Sequence, residues 1–108
     1  MLVVDDDPSL RLLCRVNLEL EGYRVVEAES LDAAEKALEE EQIAVILLDV
    51  HLGNQDGLTL LPAIEEHGPA VALLTGSPGV LLPEGATVIG KPFSIDELSE
   101  TVRRLAGS

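Results

Sequence analysis

The sequence predicts an α/β protein: a doubly wound, five-stranded parallel sheet with helices on both faces. Three observations carry that prediction. Ile43-Ala44-Val45-Ile46-Leu47-Leu48 is an uninterrupted apolar run, as in a strand buried on both sides of a parallel sheet. Four further short apolar runs alternate with stretches of helical spacing, the order of β-α units. Most of these runs end in a residue able to do chemistry, at the carboxyl edge where open α/β sheets bind their ligands.

In chain order, Leu2-Val3-Val4 is the first strand and leads into Asp5-Asp6-Asp7. Pro8 then opens a helix with Asp7 as N-cap, since proline is favoured at the first helical position. The apolar face of this helix is read as Leu10, Leu13, Val16 or Asn17, and Leu20, and Gly22 stops it. Arg24-Val25-Val26-Glu27-Ala28 is the second strand. Ser30 caps a second helix with Leu31, Ala34 and Leu38 on one face, and Glu39-Glu40-Glu41 is its solvated last turn. After the central strand, Asp56-Gly57 starts a third helix with Leu58, Leu61 and Ile64, closed by His67-Gly68-Pro69. Ala70-Val71-Ala72-Leu73-Leu74 is the fourth strand, and residues 86 to 90 are the fifth. The last helix opens with a capping box of Ser94 and Glu97 and a staple of Phe93 on Leu98; Ile95, Leu98, Val102 and Leu105 form its buried face. Between the fourth and fifth strands lie Gly76, Pro78, Gly79, Pro83 and Gly85. That composition cannot carry a regular helix, so the helix joining these two strands is expected to be missing or reduced to one turn.

Bulk properties narrow the function. The 108 residues are read as one domain, 1–108, large enough to bury a core without disulfides or metals as staples. Cys14 has no second cysteine to pair with, which fits a reducing, cytoplasmic setting. No apolar run approaches the roughly 18 residues of a membrane span. Twenty acidic against seven basic residues give a net charge of −13, which repels nucleic-acid phosphates and anionic membranes. Neither direct nucleic-acid binding nor membrane insertion is expected.

The strand ends bring Asp5, Asp6, Asp49, Thr75 and Lys91 to one edge of one sheet. Each alone has an ordinary role, as turn former, strand residue or surface charge; together they are mutually useful. Two like charges about 4 Å apart repel by roughly 4 kcal/mol at an effective dielectric of 20, so three carboxylates call for a cation. Hard oxygen ligands suit Mg²⁺, which takes one or two carboxylates and a phosphate oxygen. The metal, a Thr75 hydroxyl and a Lys91 ammonium would each hold one oxygen of a phosphoryl group in transfer, leaving Asp49 as the nucleophile that becomes an aspartyl phosphate.

From end to end the chain resembles a response-regulator receiver domain of two-component signalling. The matching motifs are Leu2-Val3-Val4-Asp5-Asp6-Asp7-Pro8, Leu47-Leu48-Asp49-Val50 followed by Asp56-Gly57, Leu74-Thr75-Gly76, and Gly90-Lys91-Pro92-Phe93. The resemblance implies a flavodoxin-like fold with strand order 2-1-3-4-5. It also implies a phosphoryl group taken from a histidine kinase or histidine phosphotransfer protein onto Asp49, with slow self-dephosphorylation and no other enzymatic activity. Asp5 and Asp6 become the acidic pair, with Asp6, Asp49 and the backbone carbonyl of His51 on Mg²⁺. Thr75 and Lys91 become the phosphoryl-sensing pair, and the Lys91-Pro92 peptide is expected to be cis. The downstream partner is a protein that the sequence does not name, and homodimerisation is compatible with the family.

Departures from the family pattern carry expectations too. Val88 stands three residues before the lysine, where an aromatic side chain usually reads out the switch. Gly53 replaces a proline often found after the acceptor strand, which should leave that loop freer to move. Receivers often dimerise or dock partners through the face to which the fourth helix belongs, so output here is expected to use another face. His51 is read chiefly as a solvent-facing loop residue, the alternative being that its side chain tunes the lifetime of the aspartyl phosphate; His67 is a helix C-terminal residue favourable to the dipole when protonated. Two other readings compete. Asp5-x-Asp7-x-Ser9 imitates the nucleophile motif of haloacid-dehalogenase-type Mg²⁺ phosphatases, but no acidic pair placed to complete that metal site follows Lys91, and Asp49 would have no role. A pseudo-receiver, a binding module with the fold but no phosphorylation, conflicts with the complete residue set.

Overall fold

The computed structural model describes residues 1–76 and 82–107. Strands β1 (Leu2–Val4), β2 (Val26–Ala28), β3 (Val45–Asp49), β4 (Ala70–Thr75) and β5 (Thr87–Gly90) form one sheet. Its order is β2-β1-β3-β4-β5 with every neighbouring pair parallel, the expected doubly wound, flavodoxin-like order. The helices are α1 (Pro8–Leu20), α2 (Leu31–Glu40), α3 (Leu61–His67) and α4 (Ile95–Gly107). A 3₁₀ turn at Gly57–Leu60 runs into α3, and a two-residue antiparallel ladder, His51–Leu52 with Gln55–Asp56, precedes it.

Alternation along the strands splits the core in two. Leu2, Val4, Ile46, Leu48 and Leu73 join Ala34, Leu38 and Ile64 in one cluster; Val3, Val45, Leu47, Ala72 and Leu74 join Cys14, Leu18, Leu98 and Val102 in the other. Helices α2 and α3 therefore cover one face and α1 and α4 the other, and the central strands read as continuous apolar runs because both their faces are dry. The local stop and start signals act as written. Asp7 accepts from the Ser9 N–H, Ser30 from Ala33, and Asp56 from Leu58. Ser94 accepts from the Glu97 N–H at 3.0 Å while the Glu97 carboxylate reaches back to Ser94. Gly68 ends α3 at φ +86°, a left-handed conformation that glycine adopts without strain.

Helix α1 corrects the expected burial. Cys14 and Leu18 are fully buried with Leu10 packed beside them, whereas Leu13, Val16 and Leu20 are 42%, 48% and 80% exposed. Asn17 instead donates to the Leu13 carbonyl at 2.8 Å. At about 100° per residue the two apolar rows are centred roughly 130° apart around the helix, and periodicity alone does not choose between them. Arg11 does. It shares the Leu10–Cys14–Leu18 side and is anchored to β1 and β2 through the Asp5 carbonyl and Glu27.

Residues 77–81 of the connection from β4 to β5 lie outside the described residues, and with them much of the segment in which the fourth helix of the family is expected to be missing. The described part of that connection is irregular or turn from Leu82 to Ala86. Val88 is 42% exposed on β5, so the position expected to carry an aromatic ring holds a small, solvent-facing side chain.

Candidate functional site

Strand register assembles the edge. Val4 pairs with Leu48, so Asp5 and Asp49 emerge side by side one residue later; Asp49 in turn pairs with Leu74, and Thr75 with Gly90. The Lys91 N–H donates to the Thr75 carbonyl at 2.8 Å, carrying the pairing one step beyond β5. Four strand ends thus deliver Asp5, Asp49, Thr75 and Lys91 in lateral order. Asp6 follows Asp5, and carboxylate oxygens of Asp5, Asp6 and Asp49 all lie within 4.8 Å of one another.

Asp5 is fully buried and Asp49 is 4% exposed, while Asp6 is open to solvent. Buried carboxylates must be hydrogen-bonded, and these are. Asp5 Oδ1 accepts from the Asp7 N–H at 2.9 Å and Oδ2 from Lys91 Nζ at 2.9 Å. Lys91 Nζ also lies 3.4 Å from Asp49 Oδ1, which accepts from the His51 N–H at 3.1 Å. Burial, and then the charge of Asp5, push the Asp49 pKa up to about 6, against the pull of His51 and Lys91. Burial works against the Lys91 ammonium too, but Asp5 and Asp49 outweigh it and hold its pKa above the ordinary lysine value. The Lys91-Pro92 peptide is cis, as expected.

Two glycines shape the rim. Gly53 adopts φ +59° and donates its N–H to Asp6 Oδ2 at 3.0 Å. A proline there could neither take that φ nor donate, so glycine ties this loop to Asp6, where greater freedom of movement is the expectation from sequence. Gly57 donates to the Val50 carbonyl at 2.7 Å, and a Cβ at Gly57 would collide with the Asp49 carbonyl oxygen. The Asp56-Gly57 pair therefore does more than start a helix: it lets the chain fold back against the backbone of Asp49. His51 sits on the short ladder with its side chain exposed.

Chemically, the edge is a set of hard anionic oxygens with an ammonium among them. Three carboxylates from two adjacent strand ends suit a divalent cation with oxygen preference, and no softer ligand stands in the cluster.

Fold and edge together define a class, the single-sheet α/β domains that carry an acidic cluster and a lysine at one carboxyl edge. More narrowly, residues 1–103 match the family described as response regulator receiver domain, and the chain belongs to that family. It is 33% identical over 113 residues to the probable transcriptional regulatory protein TcrX of Mycobacterium tuberculosis, covering 97% of this chain and 48% of TcrX. To the response regulator receiver protein CpdR of Brucella abortus it is 27% identical, covering 97% of this chain and 94% of CpdR. Among solved structures, the receiver domain of NtrX from Brucella abortus superposes with a TM-score of 0.85 at 30% identity, covering 99% of this chain and 98% of that one. The chain spans about half of TcrX and only 25% of the Escherichia coli transcriptional regulatory protein GlrR.

The residues that sequence reasoning nominated do converge: Asp5, Asp6, Asp49 and Lys91 form one contact network, and Thr75 borders it on β4. Arg11 joins the site from α1 through partners distant in sequence, the Asp5 carbonyl and Glu27. Its signal was an arginine four residues after the Asp7 cap, on the helix side that turns inward.

Proposed function

We propose that this receiver takes a phosphoryl group from a histidine kinase or histidine phosphotransfer protein onto Asp49 and thereby switches the binding of a downstream protein. The observation that carries the reading is the Lys91 ammonium held between the buried Asp5 and Asp49 carboxylates, with Asp6 alongside. In the reading, an Asp49 oxygen attacks phosphorus as the bond to the donor's imidazole nitrogen breaks; the electron pair returns to the ring, which then takes a proton from solvent. Asp5, Asp6, Asp49 and the His51 backbone carbonyl would hold Mg²⁺. When bound, that ion offsets the carboxylate repulsion and neutralises charge on the transferred group. Lys91 moves its ammonium from the two carboxylates toward the new phosphoryl oxygens, and Thr75 donates to another of them. Val88 makes an aromatic readout unavailable, so the output surface differs from the common one.

The domain itself is proposed to work in the cytoplasm as one unit across residues 1–108, without contacting nucleic acid or membrane. Among the described residues, no helix is long and apolar enough to cross a membrane.

Intact mass after incubation with acetyl phosphate and Mg²⁺ tests the proposal. The expected result is one added phosphoryl group that disappears with EDTA and in Asp49→Ala. No adduct on folded protein would return the chain to the pseudo-receiver reading. An adduct that survives Asp49→Ala and disappears in Asp5→Ala would make it a haloacid-dehalogenase-type phosphatase.

A further inference from the structure

We propose that Arg11 is a positioning residue for the acidic pair: its guanidinium fixes the Asp5–Asp6 peptide and, through it, the direction of both carboxylates. The inference rests on the receiver reading above and names a residue that serves the same site from behind.

The β1 ladder ends at Val4, and Asp5 stands one residue beyond it with its N–H bonded to the Ala28 carbonyl at 3.1 Å. The Asp5 carbonyl accepts from Arg11 Nη1 at 2.6 Å. Arg11 is itself held: its Nε donates to Glu27 Oε1 at 3.2 Å, and its side chain is only 13% exposed. Glu27 is fixed in β2 by its register with Val3, and its other oxygen accepts from Arg15 at 3.0 Å. The guanidinium fork therefore spans two strands from one helix, a geometry that a lysine, as a point charge on a flexible stem, does not reproduce.

What the contact controls follows from covalent geometry. The Asp5–Asp6 peptide is planar, so orienting its carbonyl sets ψ of Asp5 and φ of Asp6 together. The two side chains leaving either end of that peptide are two of the three clustered acids. On the other side they are gripped by the Asp7 N–H, Lys91 and the Gly53 N–H. Arg11 supplies the opposing grip. Its charge and its geometry predict opposite outcomes. As a cation near the acids, Arg11 would weaken the binding of a divalent ion, and its removal would tighten binding. As a positioning residue, its removal weakens binding, in the way that partners behind metal ligands typically change affinity by about 10- to 100-fold.

The test is a Mg²⁺ titration of the full chain followed by amide NMR, on wild type, Arg11→Ala, Arg11→Lys and Glu27→Gln, each shown to be folded by urea unfolding. Arg11→Ala is expected to bind Mg²⁺ about tenfold or more weakly. In the metal-free protein its Asp6 amide is expected to shift and to exchange faster. Arg11→Lys is expected to recover part of the affinity, and Glu27→Gln, which keeps an acceptor for Arg11, to stay within about threefold of wild type. Unchanged or tighter Mg²⁺ binding by folded Arg11→Ala, with an unmoved Asp6 amide, overturns the proposal. If Arg11→Ala does not fold, Arg11→Lys decides: wild-type affinity there overturns it equally. A wild type that binds no Mg²⁺ would count against the receiver reading instead, and the metal-free Asp6 amide would still decide the role of Arg11.

Discussion

Asp49 is an anion placed where an anion is costly. Burial and the neighbouring Asp5 raise its pKa from 3.8 to about 6, although Lys91 and the His51 N–H hold it from two sides. The sign of the consequence is definite. Between pH 3.8 and about 6 the folded chain keeps a proton on Asp49 that the unfolded chain has released, so this group's contribution to stability falls as pH rises through that window. The full loss is on the order of 3 kcal/mol. In EDTA, Asp49→Asn should match wild type in urea unfolding near pH 4 and exceed it increasingly toward pH 7. A constant difference across that range would show that Asp49 carries no such penalty. At this scale the site was legible where chemistry follows a strand in sequence: Asp5, Asp49, Thr75 and Lys91 each end an apolar run. The role of Arg11 and the grip of Gly53 on Asp6 were not, because their partners are a backbone carbonyl and a carboxylate that only the fold brings near.

At the scale of elements, α1 shows what a pattern alone leaves open. Its 13 residues carry two apolar rows, and the row with more leucines is the exposed one. Cys14 is small and soft, and so weighs little in a hydrophobic pattern; yet it is the residue that sits fully buried against the sheet. The two rows predict different energetics. Leu18→Ala should destabilise the protein by about 2–5 kcal/mol, as for a leucine in a packed core. Leu20→Ala, at an 80% exposed position, should change stability by no more than about 0.5 kcal/mol. Denaturant midpoints of the two variants check this, and equal costs would mean that α1 is rotated from the orientation described. Explicit caps mark where a helix or turn starts from local sequence alone. Ser30, Asp56 and Ser94 act through hydrogen bonds within three residues, which need no knowledge of the fold.

The whole molecule joins a dry, two-sided core to a surface that is strongly of one sign, and the sequence disclosed both because composition and alternation are additive properties. The row of Leu12, Leu13, Val16 and Leu20 on α1 gives this combination a colloidal consequence. At neutral pH a net charge of −13 keeps copies of the chain apart, so the greasy strip, about 12 Å long from Leu12 to Leu20, meets mostly water. Acid that protonates the carboxylates, or molar salt that shortens the screening length to about 3 Å, removes the repulsion and leaves the strip adhesive. Light scattering from the folded protein should therefore rise under either condition and stay low when Leu13 and Leu20 are both replaced by glutamine. Scattering that rises equally in that variant would place the adhesive surface elsewhere. Dispersal of this chain in water is thus electrostatic, a property of the medium as much as of the fold.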